Sequence, residues 1–468
     1  MKSNELVIIG GGAGGLAAAI EAAKLGVETT VIDENVKPGG QIYRQLEEGF
    51  QIHSLRALGR DYTRGSRLLN EFDVIRSKIK YLNNTVVWGL FPENELVYQH
   101  SGRSESLRYR KLIIASGAYD RPVAFPGWTL PGVLTAGGAQ RLVKTQRVLP
   151  GEMILLAGTG PLQLVLANQI INAGGNIVAV LEAGTIIDSW FKLLRSLWGQ
   201  WDLLMDGLSY IFNIRKAKVP LLLNHIILEA HGEEEVKEAV VARVDKDWRP
   251  IPGTERTLDV DTICIGYGLV PSAEITQLGK CEHQYSPRLG GWVPKRQENL
   301  ETSVPGIYAI GDGSGVEGSK AAIAEGRIAG IDAAHTLGYL SASDSRKRKE
   351  PFEKQLKKYR RFRKVMDKIS EPRPGLFELA KEDTIICRCE EITLGDVDEA
   401  IARGGREINE IKRMTRAGMG RCQGRMCGPF LVERIRRTVG LQEIPGPGHL
   451  NPRPPLKPIK LGSMTTVD

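Results

Sequence analysis

Residues 6–15 read Leu-Val-Ile-Ile-Gly-Gly-Gly-Ala-Gly-Gly, and the predicted fold follows from this segment. A short apolar strand enters the glycine-rich turn, and an alanine-rich helix, Leu16 to Leu25, leaves it. A second strand, Val27 to Ile32, ends at the acidic pair Asp33 and Glu34. A strand, a G-x-G-x-x-G turn, a helix and a second strand with an acidic end form the fingerprint of a dinucleotide-binding βαβ unit.

The glycines of this turn have separate physical roles. Gly10 permits the tight turn, Gly12 lets the backbone approach a pyrophosphate, and Gly15 lets the helix pack closely on the strand. The N–H groups and positive dipole of the helix N-terminus then face the phosphates, and a carboxylate at the strand end can accept hydrogen bonds from ribose hydroxyls. The candidate cofactor-binding residues of this unit are Gly10, Gly12, Ala13, Gly14, Gly15, Asp33 and Glu34.

A similar pattern returns in the middle of the chain. An apolar strand, residues 153–157, is followed by Gly-Thr-Gly-Pro-Leu-Gln at 158–163 and by a helix and a strand that ends at Glu182. Gln163 stands where the third glycine belongs, and a long side chain there should crowd the helix–strand contact or alter the phosphate pocket. We predict a second Rossmann-like domain with Gly158, Gly160 and Glu182 as candidate nucleotide-binding residues, and its ability to bind NAD stays open.

Four cysteines near the C-terminus form a ligand pattern. Cys387 and Cys389 are a C-x-C pair, and after a gap of 32 residues Cys422 and Cys427 form C-x4-C. Four thiolates can hold a [2Fe–2S] cluster. The alternative is an all-thiolate zinc site, which usually takes its cysteines from C-x2–4-C knuckles and therefore fits a C-x-C pair poorly.

Cations are interleaved with these cysteines. Four thiolates around an oxidised two-iron core leave a negative charge, and burying that charge is costly unless cations or N–H donors lie nearby. One hypothesis is that some of the cations offset the cluster charge and raise its potential. The other is that they face solvent or a partner. The residues concerned are Arg388, Lys412, Arg413, Arg416, Arg421 and Arg425.

Length and composition bound the class of protein. A chain of 468 residues predicts more than one domain, and 42% hydrophobic with 25% charged residues is typical of soluble proteins. No apolar run reaches about 18 residues, so we expect no membrane span. Residues 1–5 carry no signal-peptide pattern, which favours a cytoplasmic protein without a disulfide framework. Cys264 lies in an apolar run and is expected to be a buried small hydrophobe.

The net charge of +8 is concentrated in one segment. Between Arg346 and Lys368 there are 12 Lys or Arg residues against 3 acidic residues. Apolar residues recur there at helical spacing, which predicts an amphipathic helix with a basic, solvated face rather than a nucleic-acid-binding surface. These apolar residues are Phe352, Leu356, Tyr359, Phe362, Met366 and Ile369.

Two further segments have their own composition. Residues 190–214 place tryptophans, Phe191 and leucines at helical spacing, which predicts an apolar-faced helical insertion that packs on its own domain or contacts a second protein chain. After Leu441 the chain has six prolines, so we expect an extended or disordered tail rather than a helix.

Several motifs together resemble the flavoproteins with two dinucleotide-binding domains, a group that includes thioredoxin and glutathione reductases. They are the N-terminal turn, Gly39-Gly40-Gln41, Ala115-Ser116-Gly117-Ala118, and residues 302–312, which end in Gly311-Asp312. The resemblance implies that residues 115–118 mark the crossing out of the FAD domain and that Asp312 contacts the FAD. The further FAD-binding residues that it implies are Gly40, Gln41, Ala115, Gly117, Gly311 and Asp312.

The cysteine pattern, with Cys-Gln-Gly-Arg at 422–425, resembles [2Fe–2S] domains of the bacterioferritin-associated ferredoxin type. The whole arrangement, with Pro-Gly-Gly-Gln-Ile-Tyr-Arg at 38–44, resembles the large subunit of heteromeric amine and amino-acid dehydrogenases. That family includes hydrogen cyanide synthase, opine oxidase, dye-linked L-proline dehydrogenase and D-hydroxyproline dehydrogenase. The resemblance implies a smaller FAD-containing partner that oxidises the amine, and it suggests an adenine nucleotide, ATP or NAD, at the second site.

The predicted fold class is α/β, with two Rossmann-like domains of the glutathione and thioredoxin reductase type and a small helical [2Fe–2S] domain. The FAD domain is expected to comprise residues 1–119 and 269–342, interrupted by the second dinucleotide domain, 120–268, which carries the insertion 190–214. A basic linker helix, 343–380, the [2Fe–2S] domain, 381–440, and a proline-rich tail, 441–468, are expected to follow.

The resulting functional prediction is a redox subunit that passes electrons from FAD through a [2Fe–2S] cluster to a small-molecule acceptor or carrier. The complex would oxidise an amine, imino acid or opine, in the cytoplasm or at a membrane surface reached through a partner or a quinone. One alternative is an NAD(P)H-dependent ferredoxin-type reductase, and another is a non-catalytic redox-sensing or docking protein. No catalytic residue is identifiable in the sequence.

Overall fold

The structure is a computed structural model, and it describes residues 3–47, 49–50, 60–184, 201–440 and 448–466. The chain divides into two compact units. Unit 1 consists of Met1–Ala118, Val270–Arg361 and Asn451–Asp468, and unit 2 consists of Tyr119–Leu269 and Phe362–Leu450. The first unit is therefore built from three separate stretches of the chain.

The N-terminal third of the chain alternates between strands and helices. In chain order its elements are β1 (Ser3–Ile9), α1 (Ala13–Lys24), β2 (Thr29–Ile32), α2 (Arg60–Ile75), β3 (Ile79–Leu82), β4 (Val86–Phe91), β5 (Glu95–His100), β6 (Arg103–Ile114) and β7 (Ala118–Asp120).

The middle of the chain repeats the alternation and then adds a run of strands. Its elements are β8 (Val133–Thr135), α3 (Ala136–Arg141), β9 (Ile154–Gly158), α4 (Pro161–Asn172), β10 (Ile177–Glu182), α5 (Trp201–Lys216), β11 (Leu221–Leu223), β12 (His225–His231), β13 (Glu238–Arg243), β14 (Arg256–Asp259), β15 (Thr262–Gly266) and β16 (Leu269–Pro271).

The C-terminal third is mainly helical. Its elements are α6 (Glu274–Leu278), β17 (His283–Ser286), β18 (Gly291–Pro294), β19 (Ile307–Ala309), α7 (Ser319–Thr336), α8 (Ala342–Ser370), β20 (Ile385–Cys387), β21 (Ile392–Thr393), α9 (Leu394–Ala402), α10 (Ile408–Thr415) and α11 (Gly428–Val439).

A seven-stranded sheet forms the centre of unit 1. Its order is β3-β2-β1-β6-β5-β4, and β19 pairs with the C-terminal part of β6. The strands β3, β2, β1, β6 and β19 run parallel. One face of β1 packs on α1 and α7, and the other lies in a core formed mainly by residues of β4, β5 and β6. Because both faces are buried, β1 is a continuous apolar run, Leu6 to Ile9, rather than an alternating pattern.

Unit 2 contains a second parallel sheet, in the order β11-β10-β9-β15-β8. Its central strand, β9, is fully buried, and the residues of α4 that face it join the same core. A three-stranded antiparallel sheet, β12-β13-β14, accompanies it. The later part of the unit is small and helical, with the hairpin β20–β21 followed by α9, α10 and α11.

The helices α1 and α7 of unit 1 cross with their backbones in close approach. A Cβ atom added to Gly326 of α7 would lie 2.1 Å from the carbonyl oxygen of Gly14, and one added to Gly330 would lie 2.4 Å from that of Ala18. Both helices are rich in alanine and almost wholly buried. Small side chains are therefore a steric requirement of this crossing, not only a helix preference.

The basic segment forms the long helix α8, whose bounds contain the predicted periodic run. In unit 1, Leu356 is buried in the core and Phe352 packs against it, whereas most of the cations face solvent. The boundary between the units falls within this helix, after Arg361.

The predicted insertion and tail lie only partly in the described residues. Residues 185–200 fall outside them, and α5 covers the rest of the insertion; Ile214 is buried in its own domain core, while Met205, Leu208 and Phe212 are exposed. The tail residues 448–460 are not helical, and Leu456 returns to unit 1, where its N–H donates to the Trp88 carbonyl oxygen at 2.9 Å.

We expect Gly326→Ala to destabilise unit 1 by about 1–3 kcal/mol, because backbone atoms of two helices must move apart to admit the methyl group. Urea unfolding of the FAD-loaded chain, followed by flavin fluorescence, measures this. Gly207→Ala in α5 is the matched control, since a Cβ there meets nothing within 4 Å. An unchanged unfolding midpoint for Gly326→Ala would show that the crossing tolerates a side chain.

Candidate functional site

Three turns of unit 1 meet at the carboxyl edge of the parallel sheet. The turn after β1 begins at Gly10, the turn after β6 contains Ala115 and Gly117, and the turn after β19 contains Gly311. The backbone joins them, since the Ala115 N–H donates to the Ile9 carbonyl at 2.8 Å and the Ile310 N–H to the Ile114 carbonyl at 2.9 Å. Ligands of α/β sheets bind at this edge, so the fold collects the predicted cofactor residues in one place.

The first glycine turn has the shape that a dinucleotide requires. A Cβ on Gly15 would lie 1.9 Å from the Gly10 carbonyl oxygen, so the third glycine is needed for helix–strand packing. The N-terminus of α1, at Gly12, has no side-chain cap. Ala13 and Gly14 belong to the first turn of that helix. The structure thus leaves N–H groups at a helix N-terminus, which is where a pyrophosphate is bound.

The Gly39-Gly40 segment lies against this turn. The Gly39 N–H donates to the Gly11 carbonyl at 2.9 Å, and a Cβ on Gly40 would lie 2.8 Å from the Gly12 Cα. The next residue, Gln41, is exposed and accepts a hydrogen bond from Arg44 at 2.6 Å. Gly40 therefore serves close backbone contact, and Gln41 stands at the surface beside it.

Tyr43 and Arg44, which follow, are partly internal. Tyr43 is buried, and its hydroxyl lies 3.4 Å from that of Ser319 at the start of α7. Arg44 is half-buried and donates to Asn35 at 3.2 Å. Both side chains support the segment that carries Gln41.

The Asp33 carboxylate accepts hydrogen bonds from several protein groups. Its carboxylate, on a residue only 3% exposed, accepts from the Gly11 N–H at 2.9 Å and the Tyr81 hydroxyl at 3.2 Å, and its other oxygen accepts from the Asn35 N–H at 2.9 Å. Burial, and then the Asp33 carboxylate, raise the pKa of Tyr81 far above its ordinary value. Asp33 therefore ties the glycine turn to the strand end. Its neighbour Glu34 is exposed and ion-pairs with Lys457 of the tail.

The loop that begins at Gly311 is organised by Asp312. Its Oδ1 accepts from the N–H groups of Glu317 at 3.0 Å and Gly318 at 2.8 Å, immediately before α7. A Cβ on Gly313 would meet the Ser116 hydroxyl at 2.5 Å, so this loop packs on the 115–117 turn. The residues that the family resemblance picked out separately are neighbours in the structure.

Glu325 is a residue that the sequence reasoning missed. It lies in α7, is 2% exposed, and accepts from the Gly311 N–H at 2.7 Å. Arg296 and Arg360 pair with it at 3.0 and 2.6 Å. A lone glutamate in an alanine-rich helix was the available signal, because a buried carboxylate needs partners from elsewhere in the fold.

The four cysteines converge in unit 2. Cys387 ends β20 and Cys389 follows it, whereas Cys422 lies in the loop before α11 and Cys427 is the N-cap residue of that helix. The thiols of Cys387 and Cys427 lie close enough to shift each other's pKa, and the Cys422 thiol likewise shifts the pKa of Cys389. Each iron of an all-cysteine two-iron cluster takes two thiolates, so two pairs fit this group.

Zinc bound by four thiolates would need all four cysteines around a single centre. Among the described residues, no group of three or more His, Cys, Asp or Glu side chains is assembled around one metal position.

Hydrogen-bond donors surround the first ligand. The Cys427 thiol, and then the N–H groups of Gly418, Glu390 and Cys389, lower the pKa of Cys387 to about 5, although burial opposes them. The neighbouring Cys387 thiol, and then burial, raise the pKa of Cys427. N–H groups directed at a sulfur stabilise its thiolate form. The backbone around Cys387 therefore favours the charge state that binds a metal.

The interleaved cations have different partners. The Arg388 guanidinium lies 5.9 Å from the centroid of the Trp128 ring, and Arg416 pairs with Glu390 at 2.9 Å. Arg425 is half-buried and donates to the carbonyl of Cys422 at 3.2 Å, whereas Arg421 is exposed. Arg413 is exposed and Lys412 half-buried. Among these six cations, Arg425 is therefore the one whose side chain bonds the backbone of one of the four cysteines.

Trp128 is a second residue that the sequence did not single out. Its indole N–H donates to the Ile385 carbonyl at 2.7 Å, two residues before Cys387. Its ring also carries the Arg388 guanidinium. One buried side chain of the dinucleotide-type domain thus holds the strand that presents the first pair of cysteines.

The second glycine turn accommodates Gln163 through glycines opposite. The buried Gln163 amide donates to the Ala157 carbonyl at 3.0 Å, and Cβ atoms on Gly158 and Gly266 would lie 2.2 and 2.3 Å from its nitrogen. The long side chain that we expected to crowd the turn is therefore buried between two strand ends.

Glu182 closes the same turn from the end of β10. It accepts from the Thr159 hydroxyl at 2.8 Å and the Gly160 N–H at 2.9 Å, and burial raises its pKa to about 7. A Cβ on Gly160 would lie 3.3 Å from that of Ser370, at the end of α8. The Ser370 side chain therefore lies close to Gly160, the position that the fingerprint keeps free of a side chain so that a pyrophosphate can approach.

Comparison with protein families gives two matches. Residues 4–336 match the pyridine nucleotide-disulphide oxidoreductase family, and residues 385–437 match the BFD-like [2Fe-2S] binding domain. The first match covers both glycine turns, and the second covers all four cysteines. FAD and a [2Fe–2S] cluster are thus the groups that these sites fit.

Individual proteins match over almost the whole chain. It is 35% identical to the HcnB subunit of hydrogen cyanide synthase from Pseudomonas aeruginosa, over 98% of each chain. It is 32% identical to one subunit of the opine oxidase from Rhizobium meliloti, over 99% of this chain and 87% of the relative. The predicted resemblance to this group is confirmed.

A solved structure of similar fold is L-proline dehydrogenase from P. horikoshii. Its TM-score is 0.70 at 20% identity, covering 99% of this chain and 79% of that chain. The predicted fold class is confirmed. In the part of the chain that the structure describes, no helix has the length and apolar character needed to cross a membrane.

We expect Cys427→Ala to abolish the cluster, because one iron loses one of its two protein ligands. Iron and acid-labile sulfide analysis of anaerobically purified protein, with its visible spectrum, measures the loss. Cys281→Ala is the control, since that buried thiol contacts Thr302 in unit 1. Full iron content in Cys427→Ala would remove this residue from the ligand set.

We expect Arg425→Gln to lower the midpoint potential of the cluster by roughly 40–80 mV, the effect of one partly desolvated charge several ångströms away. Redox titration followed by electron paramagnetic resonance measures it. Arg421→Gln removes the same charge from an exposed position, where water screens it, and should shift the potential less. Equal shifts would show that burial of Arg425 has no bearing on the potential.

Proposed function

The chain belongs to the pyridine nucleotide-disulphide oxidoreductase family and carries a BFD-like [2Fe-2S] binding domain, and from this premise we propose that it is the electron-transferring subunit of a heteromeric dehydrogenase or oxidase. The substrate class is an amine, imino acid or opine. Electrons pass from flavin through the cluster to a small-molecule acceptor or carrier.

One observation carries the proposal: a single chain builds a dinucleotide edge at Gly10–Gly15, Ala115 and Asp312, and separately assembles two pairs of thiols. Flavin accepts a hydride as two electrons and releases them singly, and a two-iron cluster carries one electron at a time. The protein residues hold and orient these groups. Such a chain suits the conversion of hydride chemistry into single-electron output.

A dithiol mechanism has little support. Cys264 is fully buried, and burial raises its pKa to about 12. Cys281 is buried beside Thr302 in the other unit. The remaining four cysteines form the cluster pattern, so no redox-active thiol pair is left for disulfide reduction.

A partner chain is part of the proposal. The similar proteins are named as subunits, one of hydrogen cyanide synthase and one of opine oxidase, which supports an assembly of several chains. We expect the partner to be the smaller, FAD-containing subunit that oxidises the substrate. We place the complex in the cytoplasm, with peripheral contact to a membrane if the acceptor is a quinone.

The second glycine turn bears on the choice between this proposal and an NAD(P)H-dependent reductase. Ser370 lies against Gly160, at the point where the dinucleotide fingerprint needs an open backbone. An adenine nucleotide, ATP or NAD, on Gly158, Gly160 and Glu182 would therefore require Ser370 to move away. This contact favours the partner chain over NADH as the source of electrons.

We expect the chain co-expressed with its smaller partner to reduce a dye when an amine or amino acid is added, whereas the chain alone does not. Cys427→Ala in the complex should still allow the substrate to bleach flavin while dye reduction falls at least tenfold, because the cluster carries the outgoing electrons. Stopped-flow and dye-reduction assays measure both.

NADH provides the opposing test. Mixed with the isolated chain, it should leave the flavin oxidised over seconds. Rapid bleaching of the flavin would contradict the proposal and favour the NAD(P)H-dependent reductase. If the complex were inactive with every amine tested, that result would contradict the proposal and favour the non-catalytic docking protein.

A further inference from the structure

A buried pair of carboxylates stands beside the loop that joins β19 to α7. Glu325 is 2% exposed at its side chain and Glu317 is 8% exposed. Isolated carboxylates at such depth are strongly disfavoured, so each must be neutralised by a cation. One guanidinium pairs with both carboxylates.

That guanidinium belongs to Arg360 of α8. Its Nε donates to Glu317 at 2.8 Å and its Nη2 donates to Glu325 at 2.6 Å. Glu325 has a second cation, Arg296, at 3.0 Å, but Arg360 is the cation that pairs with Glu317 in the described part of the chain. The planar fork of an arginine can bridge two acceptors in this way, and a lysine cannot reproduce the geometry.

The two carboxylates connect Arg360 to the two ends of one loop, because Glu325 bonds its first residue and Glu317 is one of its last residues. Glu325 accepts from the N–H of Gly311, which has a φ of +65°, and Glu317 donates its own N–H to Asp312. Within the loop between Gly311 and Gly318, Asp312 accepts hydrogen bonds from the N–H groups of Glu317 and Gly318. Arg360, which lies outside the loop, connects its two ends through Glu317 and Glu325. The loop lies at the carboxyl edge of β1, β6 and β19, where the glycine turn of the flavin site also lies.

We propose that Arg360 is a positioning residue for the flavin. Through Glu317 and Glu325 it sets the backbone of the loop from Gly311 to Gly318 and therefore the uncapped N-terminus of α7. N–H groups at such a terminus stabilise negative charge, and reduced flavin is more negative than oxidised flavin. Arg360 thus acts on flavin affinity and potential through other residues, without touching the cofactor.

The neighbouring residue offers a matched control. Arg361 is the next residue of the same helix, carries the same charge and is exposed. Arg361→Gln removes a charge at the next position of the helix and leaves the hydrogen bonds of Arg360 to Glu317 and Glu325 in place. Arg360→Lys retains the charge but can keep only one of the two hydrogen bonds well aligned.

The test is titration of apoprotein with FAD, followed by flavin fluorescence, together with the flavin midpoint potential. We expect Arg360→Gln to weaken binding of oxidised FAD about tenfold, which is about 1.4 kcal/mol. Reduced FAD should lose about a further tenfold, which lowers the two-electron potential by about 30 mV. Arg360→Lys should lie between, and Arg361→Gln should match the wild type in both.

Wild-type affinity and potential in Arg360→Gln would overturn the proposal. So would loss of thermal stability alone, because a purely structural role moves the unfolding temperature of the apoprotein and not the potential. If Arg360→Gln does not fold, Glu317→Gln is measured in the same way, and unchanged FAD binding there would also overturn it. None of these readouts needs substrate or a partner, so failure of the proposed function leaves the test intact.

Discussion

Contact of backbone with backbone is the constraint on which unit 1 depends. Gly15 brings α1 onto the Gly10 carbonyl, Gly326 brings α7 onto the Gly14 carbonyl, and Gly40 lies on the Gly12 Cα, each at a distance that leaves no room for a methyl group. These contacts join the strand end, two helices and the following loop into one compact corner. The N-terminus of α1 at that corner has no side-chain cap, and an uncapped helix N-terminus is the feature that binds a phosphate-containing cofactor.

Buried carboxylates are stabilised in two different ways in this protein. Asp33 and Glu182 each accept hydrogen bonds from the N–H groups of their own glycine turn, so a carboxylate and a local backbone stabilise each other. Glu325 and Glu317 instead depend on arginines from distant parts of the chain. Breaking a buried pair of this second kind typically costs about 3–5 kcal/mol, because the partner is left uncompensated.

The candidate cluster site uses both local backbone N–H groups and an arginine side chain. N–H groups of its own loops point at the Cys387 sulfur, and Arg425 holds the backbone of Cys422. Trp128, from a different domain of the same unit, holds the strand that carries Cys387. The potential of a [2Fe–2S] site depends on hydrogen bonds and nearby charge, and these are contacts of that kind.

The sequence by itself determined the parts whose physical signal is local. A strand, a glycine turn and a helix must follow one another in a few residues, and this pattern identified both dinucleotide-type units. The C-x-C and C-x4-C spacings identified four thiols, and an apolar period of helical spacing identified the long basic helix, whose observed bounds are Ala342–Ser370. The boundaries of the domains and the role of each site residue stay predictions.

Tertiary contacts, in contrast, show which of many similar residues lie at the sites. Among the cations of the basic helix, Arg360 is the one that meets Glu317 and Glu325, and among those near the cysteines, Arg425 meets a ligand residue. The tertiary structure likewise placed Gln163 between two glycines and Ser370 against Gly160. Such contacts join residues far apart in the chain, and neither spacing nor composition encodes which side chain reaches a given backbone atom.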